Sequence, residues 1–551
     1  MDFRLCIILG FLFLAKIALS ETCQAAYLTC GGKDYKGSTC CVEGYTCFRI
    51  NYNHSQCIPT EHAAKRGTYS YNDFNPIEEE EEPVNNASSG ALIRNNMFWK
   101  DTSGKNIYSQ GGGVYKFGDT YYWYGVHYKG AESYANNPTK RNSDTSFVSV
   151  TCYSSKDLVT WKFENDILTP RTPNFGNASW LGRLGVAYCK NTRRYVLVTQ
   201  YNDSILFASS DTPTGNFKIE RVQDYITNMG SDMGTGDQTI FIDDDGSAYI
   251  ICSNKHGRGM QYVSKLRDSD FLYAEPAKLV ARGYGREGNA LFKYKNKYYF
   301  CASDLHGWNA SHSYYMVADN IFGPYSDWKV MEGSDEDFSF VTQTGFFYTI
   351  KGSKEETVIF CGDRWSDFAG NGLGYNQWVP LTVNGDKVKF NSLSEWYVNS
   401  ETGEWSIGEG NNYCLNPSFE ADRVQQNTLA GWKSYGTGTK NKSGGHTGNF
   451  CAEHWANSAY EASFTQDLTL PNGTYNLKAW VKSSGGQKTA NIHVKKFGGS
   501  EMNVSINKKI DQWTQVSINN IKVTTGQIQI GIYSNANAGN YINVDDITLT
   551  H

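Results

Sequence analysis

The feature that most limits the fold is a repeated alternation of turn and strand. A turn signal leads directly into a short run of aromatic or β-branched residues in GDTYYWYG (118–125), NTRRYVLV (191–198), DDGSAYII (244–251), KNKYYFCAS (295–303) and KEETVIFCG (354–362). Such side chains fit a pleated surface, and Gly, Asn and Asp end the strand. These stretches show no helical periodicity. Clusters returning at intervals of about 50 to about 75 residues suggest radial repetition, an all-β propeller. A β-sandwich is the alternative that spacing alone leaves open.

The 551 residues call for two or three domains. With 37 Tyr and 14 Trp, the chain favours strands and flat polar ligands, such as sugars that stack on rings. A net charge of -5 gives no sign of a nucleic acid partner.

The start, MDFRLCIILGFLFLAKIALS, has one Arg, an apolar run and a small-residue end. We read residues 1–20 as a secretory signal cleaved near Ser20. A membrane anchor is the alternative, but the run is short and Lys16 interrupts it. No later segment is apolar enough to span a bilayer, so no membrane partner is expected. Secretion permits disulfides, and Cys23, Cys30, Cys40, Cys41, Cys47 and Cys57 crowd into one short polar stretch. Residues 21–59 therefore form a stapled mini-domain. Sequons at Asn53, Asn86, Asn177, Asn202, Asn309, Asn441, Asn472 and Asn503 are candidate glycosylation sites.

Residues 60–92, with Glu78–Glu82, can bury little and read as an acidic linker. The propeller follows over 93–405. Near 405 the character shifts, and NPSFEADRVQQNTLAGW opens a run of short alternating strands. Residues 410–551 read as a jelly-roll sandwich. Within the propeller, Glu287 stands alone in GYGREGNALF. An acid among glycines is either a solvated loop charge or a group that must approach a ligand closely.

Residues 23–59, with the elements CGG, CC, GYTC and SQC, resemble a family 1 carbohydrate-binding module of the fungal cellulose-binding type. The resemblance implies the bridges Cys30–Cys47, Cys41–Cys57 and Cys23–Cys40. It also implies cellulose binding through coplanar aromatics. Tyr27 matches the first, while the other two fall on Asn53 and His54. Tyr35 and Tyr52 are candidates to compensate, with Gln56 beside them. A disulfide knob with weak binding is the alternative.

Residues 93–405 resemble a family 43 glycoside hydrolase, a five-bladed propeller, in the branch that contains exo-β-1,3-galactanases. The match rests on YSSKDLVTW (153–161), GDQTIFIDDDGSAYI (236–250), REGNALFKYKNKYYFCASDLHGW (286–308) and CGDRWSDFAGNGLGYNQWVPL (361–381). It implies Glu287 as general acid and Asp237 as the acid that raises and orients it. Two carboxylates set close together disfavour double ionisation, so one keeps its proton. The usual Asp base of the first blade is absent from NIYSQGGGVYKF (106–117). Gln343, in FVTQTGFF, matches the branch's water-positioning glutamine. Two sugar-contacting Glu residues of the branch are replaced by Val126 and Gly182. His127, Tyr128 and Asn202 are candidates to replace those contacts. Asp304, Trp308, Arg364, Trp378 and Tyr124 are candidate substrate-binding residues. For Trp308 and Trp378, packing between blades is an equal alternative.

Residues 410–551 resemble jelly-roll carbohydrate-binding modules of the family 4/9/22 type, through NPSFE and VDDITL. Glu420 and Asp546 are the candidate ligands of a structural calcium. Cys414 and Cys451 are a candidate bridge. Trp455, Tyr460 and Trp480 are candidates to line a glycan cleft, with core packing the stronger reading for Trp480.

The expected protein is a secreted, monomeric, inverting exo-acting hydrolase of plant cell wall polysaccharide, releasing galactose from β-1,3-galactan and held to cellulose by its N-terminal module. No cofactor is required for the chemistry. Inversion sets the acid and its water-activating partner about 6.5–9.5 Å apart. The alternatives are an α-L-arabinofuranosidase or β-xylosidase, and a non-catalytic glycan-binding protein.

Overall fold

The computed structural model describes residues 23–24, 29–31, 36–51, 54–60, 90–136, 144–178, 180–230, 233–307, 309–364, 375–422 and 429–551. The chain forms two compact units, Met1–Glu82 and Pro83–His551. In the small unit, strands Thr29–Gly31, Tyr45–Asn51 and His54–Pro59 form one sheet with the third strand central. Disulfides join Cys23 to Cys40, Cys30 to Cys47 and Cys41 to Cys57, the pairing that the resemblance implies. With so few residues to bury, the bridges take the place of a core.

Among its described residues the large unit contains five four-stranded antiparallel sheets, spanning 110–168, 181–223, 238–282, 287–330 and 343–390. Each is a meander in sequence order. Their first strands are Gln110–Phe117, Leu181–Cys189, Gln238–Ile242, Glu287–Tyr294 and Gln343–Lys351. Each first strand packs on the first strand of the next sheet, and the fifth packs on the first. The five turn-and-strand runs of the sequence fall on the second strand of every sheet. These strands are apolar on both faces because each sheet is covered by its neighbours.

Strand Ala91–Arg94 pairs with Glu395–Val398, which also pairs with Trp405–Ile407. The expected linker end at 92 is thus corrected, because residues 91 and 92 belong to a strand that ties the start of the sheets to their end. Beyond it, two five-stranded sheets face each other around Phe419, Trp432, Phe464, Tyr475, Ile492 and Ile532. Cys414 and Cys451 are buried free thiols there, so the expected bridge between them is not formed. No helix among the described residues is long and apolar enough to cross a membrane.

Candidate active site

Residues at or beside the starts of four of the five first strands meet in one polar cluster. Glu287 and Gln343 each begin such a strand. Asp237 immediately precedes a third, and Arg183 is the third residue of another.

Arg183 holds the group together. Its Nη1 donates to Asp363 Oδ2 at 2.8 Å, and its Nη2 donates to Gln343 Oε1 at 3.0 Å and to the Thr344 carbonyl at 3.2 Å. Its Nε lies 3.5 Å from Asp237 Oδ2. Arg258 spans the pair of acids, 3.3 Å from Asp237 Oδ1 and 3.7 Å from Glu287 Oε2. The Gly288 N–H donates to Asp237 Oδ2 at 2.7 Å. Gly288 has a φ of 62°, and a Cβ there would strike the Thr344 carbonyl. Only glycine lets the backbone beside the acid make this approach.

Charge counting assigns the proton. Asp237, Asp363 and Glu287 face two guanidiniums, so one carboxyl is left without a counter-charge. Burial and then the Asp237 charge push Glu287 up to about 7. Burial also pushes Asp237 up, but Arg183, Arg258 and the Gly288 N–H outweigh it and hold this carboxyl below its ordinary range. Asp363 is raised by burial, against Arg183 and the Gly111 N–H. The surroundings thus favour the protonated form of Glu287 and the ionised form of Asp237, a separation of two neighbouring carboxyls that suits acid catalysis.

The site brings together Glu287, Asp237 and Gln343, but not with the expected spacing. Gln343 Nε2 donates directly to Glu287 Oε1 at 2.8 Å. The 6.5–9.5 Å gap is absent from this arrangement, because Arg183 takes the amide oxygen and swings the amide nitrogen onto the acid.

The other expected residues have partners of their own. Trp378 is fully buried among Trp99, Trp123, Trp161 and Phe346. It is a packing residue and does not reach a sugar. Tyr124 is also fully buried, its hydroxyl donating to the Pro213 carbonyl at 2.8 Å, so its binding role is corrected in the same way. Arg364 is buried and donates to Asn96 Oδ1 at 2.7 Å. Asp304 follows Ser303, the register partner of Glu287, and is engaged by His306 Nε2 at 2.7 Å and the His312 N–H at 3.1 Å. Tyr128 is buried with its hydroxyl on the Leu181 carbonyl, and His127 stacks on Tyr108. Trp308, Tyr27, Tyr35 and Tyr52 lie outside the described residues. Gln56 sits on strand His54–Pro59, paired in register with Phe48 and Thr29.

Arg183, Arg258, Asp363 and Gln200 were not legible as site residues. A signal for Arg183 existed: a lone cation in the apolar run LGRLGVAY is buried only when paired. Gln200 explains the missing carboxylate at Gly182. A Cβ at Gly182 would collide with Gln200 Oε1 and Trp180. Gln200 Oε1 accepts the Arg183 N–H at 2.8 Å, and its Nε2 donates to the Gly236 carbonyl. An amide thus ties together two strand starts where the resemblance expects an acid.

In the sandwich, Glu420 and Asp546 are joined by a third acid, Asp545, which is fully buried. Glu420 accepts the Asn449 and Phe450 N–H groups, each at 2.8 Å. Asp545 accepts those of His446 at 2.6 Å and Thr447 at 3.2 Å. Asp546 is bonded to His446 Nδ1 and to Thr447 Oγ1, each at 2.6 Å. Burial, then the Asp546 and Glu420 charges, push Asp545 up to about 9. Among the described residues the three acids do not gather their oxygens into one metal-type cluster, and His446 already pairs with Asp546, so a hard cation would need these carboxyls to turn inward. Trp480 stacks on His446 with ring centroids 4.0 Å apart, on the face opposite Leu477 and Val481, so it is not a core residue. Tyr460 is buried, its hydroxyl on the His454 and Asn540 carbonyls.

Residues 99–363 match the model of glycosyl hydrolases family 43, and residues 26–52 match that of the fungal cellulose binding domain. The chain thus carries a family 43 domain, which places that domain among the glycoside hydrolases. It is 29% identical over 213 residues to a 1,6-alpha-glucosyltransferase of Sporosarcina globispora, covering 34% of this chain and 16% of that protein. It is 49% identical over 39 residues to a 1,4-beta-D-glucan cellobiohydrolase of Pyricularia oryzae, covering 7% of this chain and 8% of the other. The chain thus spans less than a fifth of the length of either relative. Among solved structures, an exo-β-1,3-galactanase of Phanerochaete chrysosporium matches with a TM-score of 0.52 at 21% identity, over 84% of this chain and 100% of that one. One from Clostridium thermocellum matches with a TM-score of 0.51 at 20% identity, over 82% and 99%. Likeness at this identity shows the fold.

Proposed function

We propose that the protein is a secreted, inverting, exo-acting glycoside hydrolase that releases galactose from β-1,3-galactan of plant cell walls. Its five meanders are the blades of one propeller. The observation that carries the reading is the buried Glu287 set beside Asp237, which Arg183, Arg258 and the Gly288 N–H engage.

In this mechanism the Glu287 carboxyl protonates the glycosidic oxygen as the bond to the anomeric carbon lengthens. Asp237 stays ionised, pinned by Arg183, Arg258 and the Gly288 N–H. The incoming glycosidic oxygen takes the place of the Gln343 amide on Glu287. The freed amide then holds the attacking water on the opposite face of the ring. A purely binding protein has no use for a buried acid kept protonated by its neighbour, which disfavours the lectin alternative.

One observation supports a second sugar. Gln200 fills the position of one expected galactose-contacting acid, and the other is the buried Val126. An α-L-arabinofuranosidase or β-xylosidase is the reading that these losses favour. Product analysis on de-arabinosylated β-1,3-galactan and on arabinoxylan separates the two. Galactose from the first supports the galactanase. Arabinose or xylose from the second, with no galactose, overturns it.

The N-terminal module would anchor the enzyme, a monomer, to cellulose. The sandwich would bind glycan in a groove of about 500 Å³ on one of its sheets, lined by Tyr435, Ser463, Thr465, His493, Gln529 and Tyr533. Glu420 and Asp546, with Asp545 beside them, would hold a structural calcium that fixes the loop from Gly444 to Phe450.

A further inference from the structure

The chain reaches Gln343 through a backbone that ordinary residues avoid. Phe338, Ser339, Phe340 and Val341 have φ values of 53°, 55°, 57° and 58°. They form a turn of left-handed helix without a glycine. L-residues visit this region singly, and a β-branched residue there is an outlier. Glycine would relieve the strain, yet the sequence supplies bulk. Phe340 is buried in the cluster that holds Val388, Phe360 and Phe390. Phe338 stacks on His312 with ring centroids 4.6 Å apart.

Buried polar groups complete the lock. Asp337, fully buried, accepts the Phe340 N–H at 2.9 Å. Ser339 Oγ donates to the Ser311 carbonyl at 2.7 Å and lies 2.8 Å from Ser313 Oγ, which lies 2.9 Å from Thr344 Oγ1. Thr342 Oγ1 donates to the Ser339 carbonyl at 2.6 Å, and Gln377 Nε2 donates to that of Phe340 at 2.7 Å. Strained φ values persist only where the surroundings over-determine them, and they gather where geometry matters.

The turn ends two residues before Gln343. The Thr344 N–H donates to Ser303 Oγ at 2.9 Å, and Ser303 is the register partner of Glu287. The turn and the acid are thus fastened to the same strand ends. We propose that the left-handed turn, with Asp337 as its cap, is a rigid bracket that fixes the Gln343 backbone at the site, from which the side chain reaches Glu287. Asp337 is a positioning residue. The proposal rests on the reading of Gln343 as the amide that works with the acid.

Val341→Gly tests it, because it removes β-branched strain and deletes no side-chain hydrogen bond. The bracket predicts opposite signs: an equal or higher Tm, with kcat down about tenfold and KM within about twofold. Asp337→Ala should also lower kcat, and Asp337→Asn, which keeps the acceptor, should restore it. A readout independent of turnover is the Glu287 carboxyl titration, followed by carbon NMR and identified by its loss in Glu287→Gln. In the parent, burial and the Asp237 charge push this carboxyl up to about 7. The Gln343 N–H stabilises the charged form, so loosening the bracket raises the midpoint in Val341→Gly and Asp337→Ala, but not in Asp337→Asn. An unmoved midpoint in the first two overturns the bracket whatever the kinetics. A parent inactive on every glycan sinks the functional reading alone, and the titration still decides the bracket.

Discussion

Replacing Glu287 by Gln should abolish turnover and yet stabilise the fold at alkaline pH. The carboxyl moves from an ordinary 4.5 to about 7 on folding. Each pH unit of such a gap is worth about 1.4 kcal/mol, so the charged form destabilises the native state by about 3 kcal/mol. The sign follows from proton counting. Below the unfolded value of 4.5 both states are protonated and nothing is lost. As pH rises towards 7 the unfolded chain releases its proton first, and stability falls. Above 7 the full penalty is present. Gln carries no charge, and its Oε1 still accepts from Gln343, so the variant escapes the penalty. Thermal melts of parent and variant at pH 4.5 and pH 8 measure it. The variant's advantage should be near zero at pH 4.5 and several degrees larger at pH 8. An equal difference at both values would mean that Glu287 titrates like a surface acid, and the assignment of the site proton would fail.

Asp237→Asn removes the charge that helps to raise Glu287, so the alkaline limb of the pH–rate profile, near pH 7 in the parent, should move down by about one pH unit; an unmoved limb refutes the pairing. Arg183→Ala leaves Asp363 and Asp237 short of counter-charge in a buried site, and should cost about 3–5 kcal/mol in denaturant unfolding. Trp378→Ala should cost about 3–5 kcal/mol of stability while KM at permissive temperature stays within about twofold; a selective rise in KM would restore its sugar-stacking role. Chelator should lower the melting temperature of the sandwich, and Asp545→Asn should abolish that effect; no response to chelator removes the calcium.

The fold was legible where local chemistry repeats. Each turn-and-strand run marks the second strand of a sheet, because such strands are buried on both sides and must be apolar throughout. The short helix Lys129–Asn136 gave no signal, since eight residues with Gly, Ser and Asn are too few and too poor in helix formers to stand out. In the site, Glu287 was legible through its glycine neighbours and the motif around it. Arg258 and Asp363 were not, because their role depends on which strand ends the closure of the sheets brings together. Trp378 and Tyr124 misled for a related reason. An aromatic beside a site motif looks the same in sequence whether it faces a ligand or the next sheet. The Gln343 contact could not be foreseen, since it depends on Arg183 capturing the amide oxygen.

The central claim is that Glu287 delivers a proton in an inverting galactanase. Proton NMR of de-arabinosylated β-1,3-galactan during digestion tests it most directly. Inversion predicts that α-galactose is the first anomer released from the β-linked chain, and an acid role for Glu287 predicts that Glu287→Gln releases none. First release of β-galactose, or undiminished release by the variant, would contradict it.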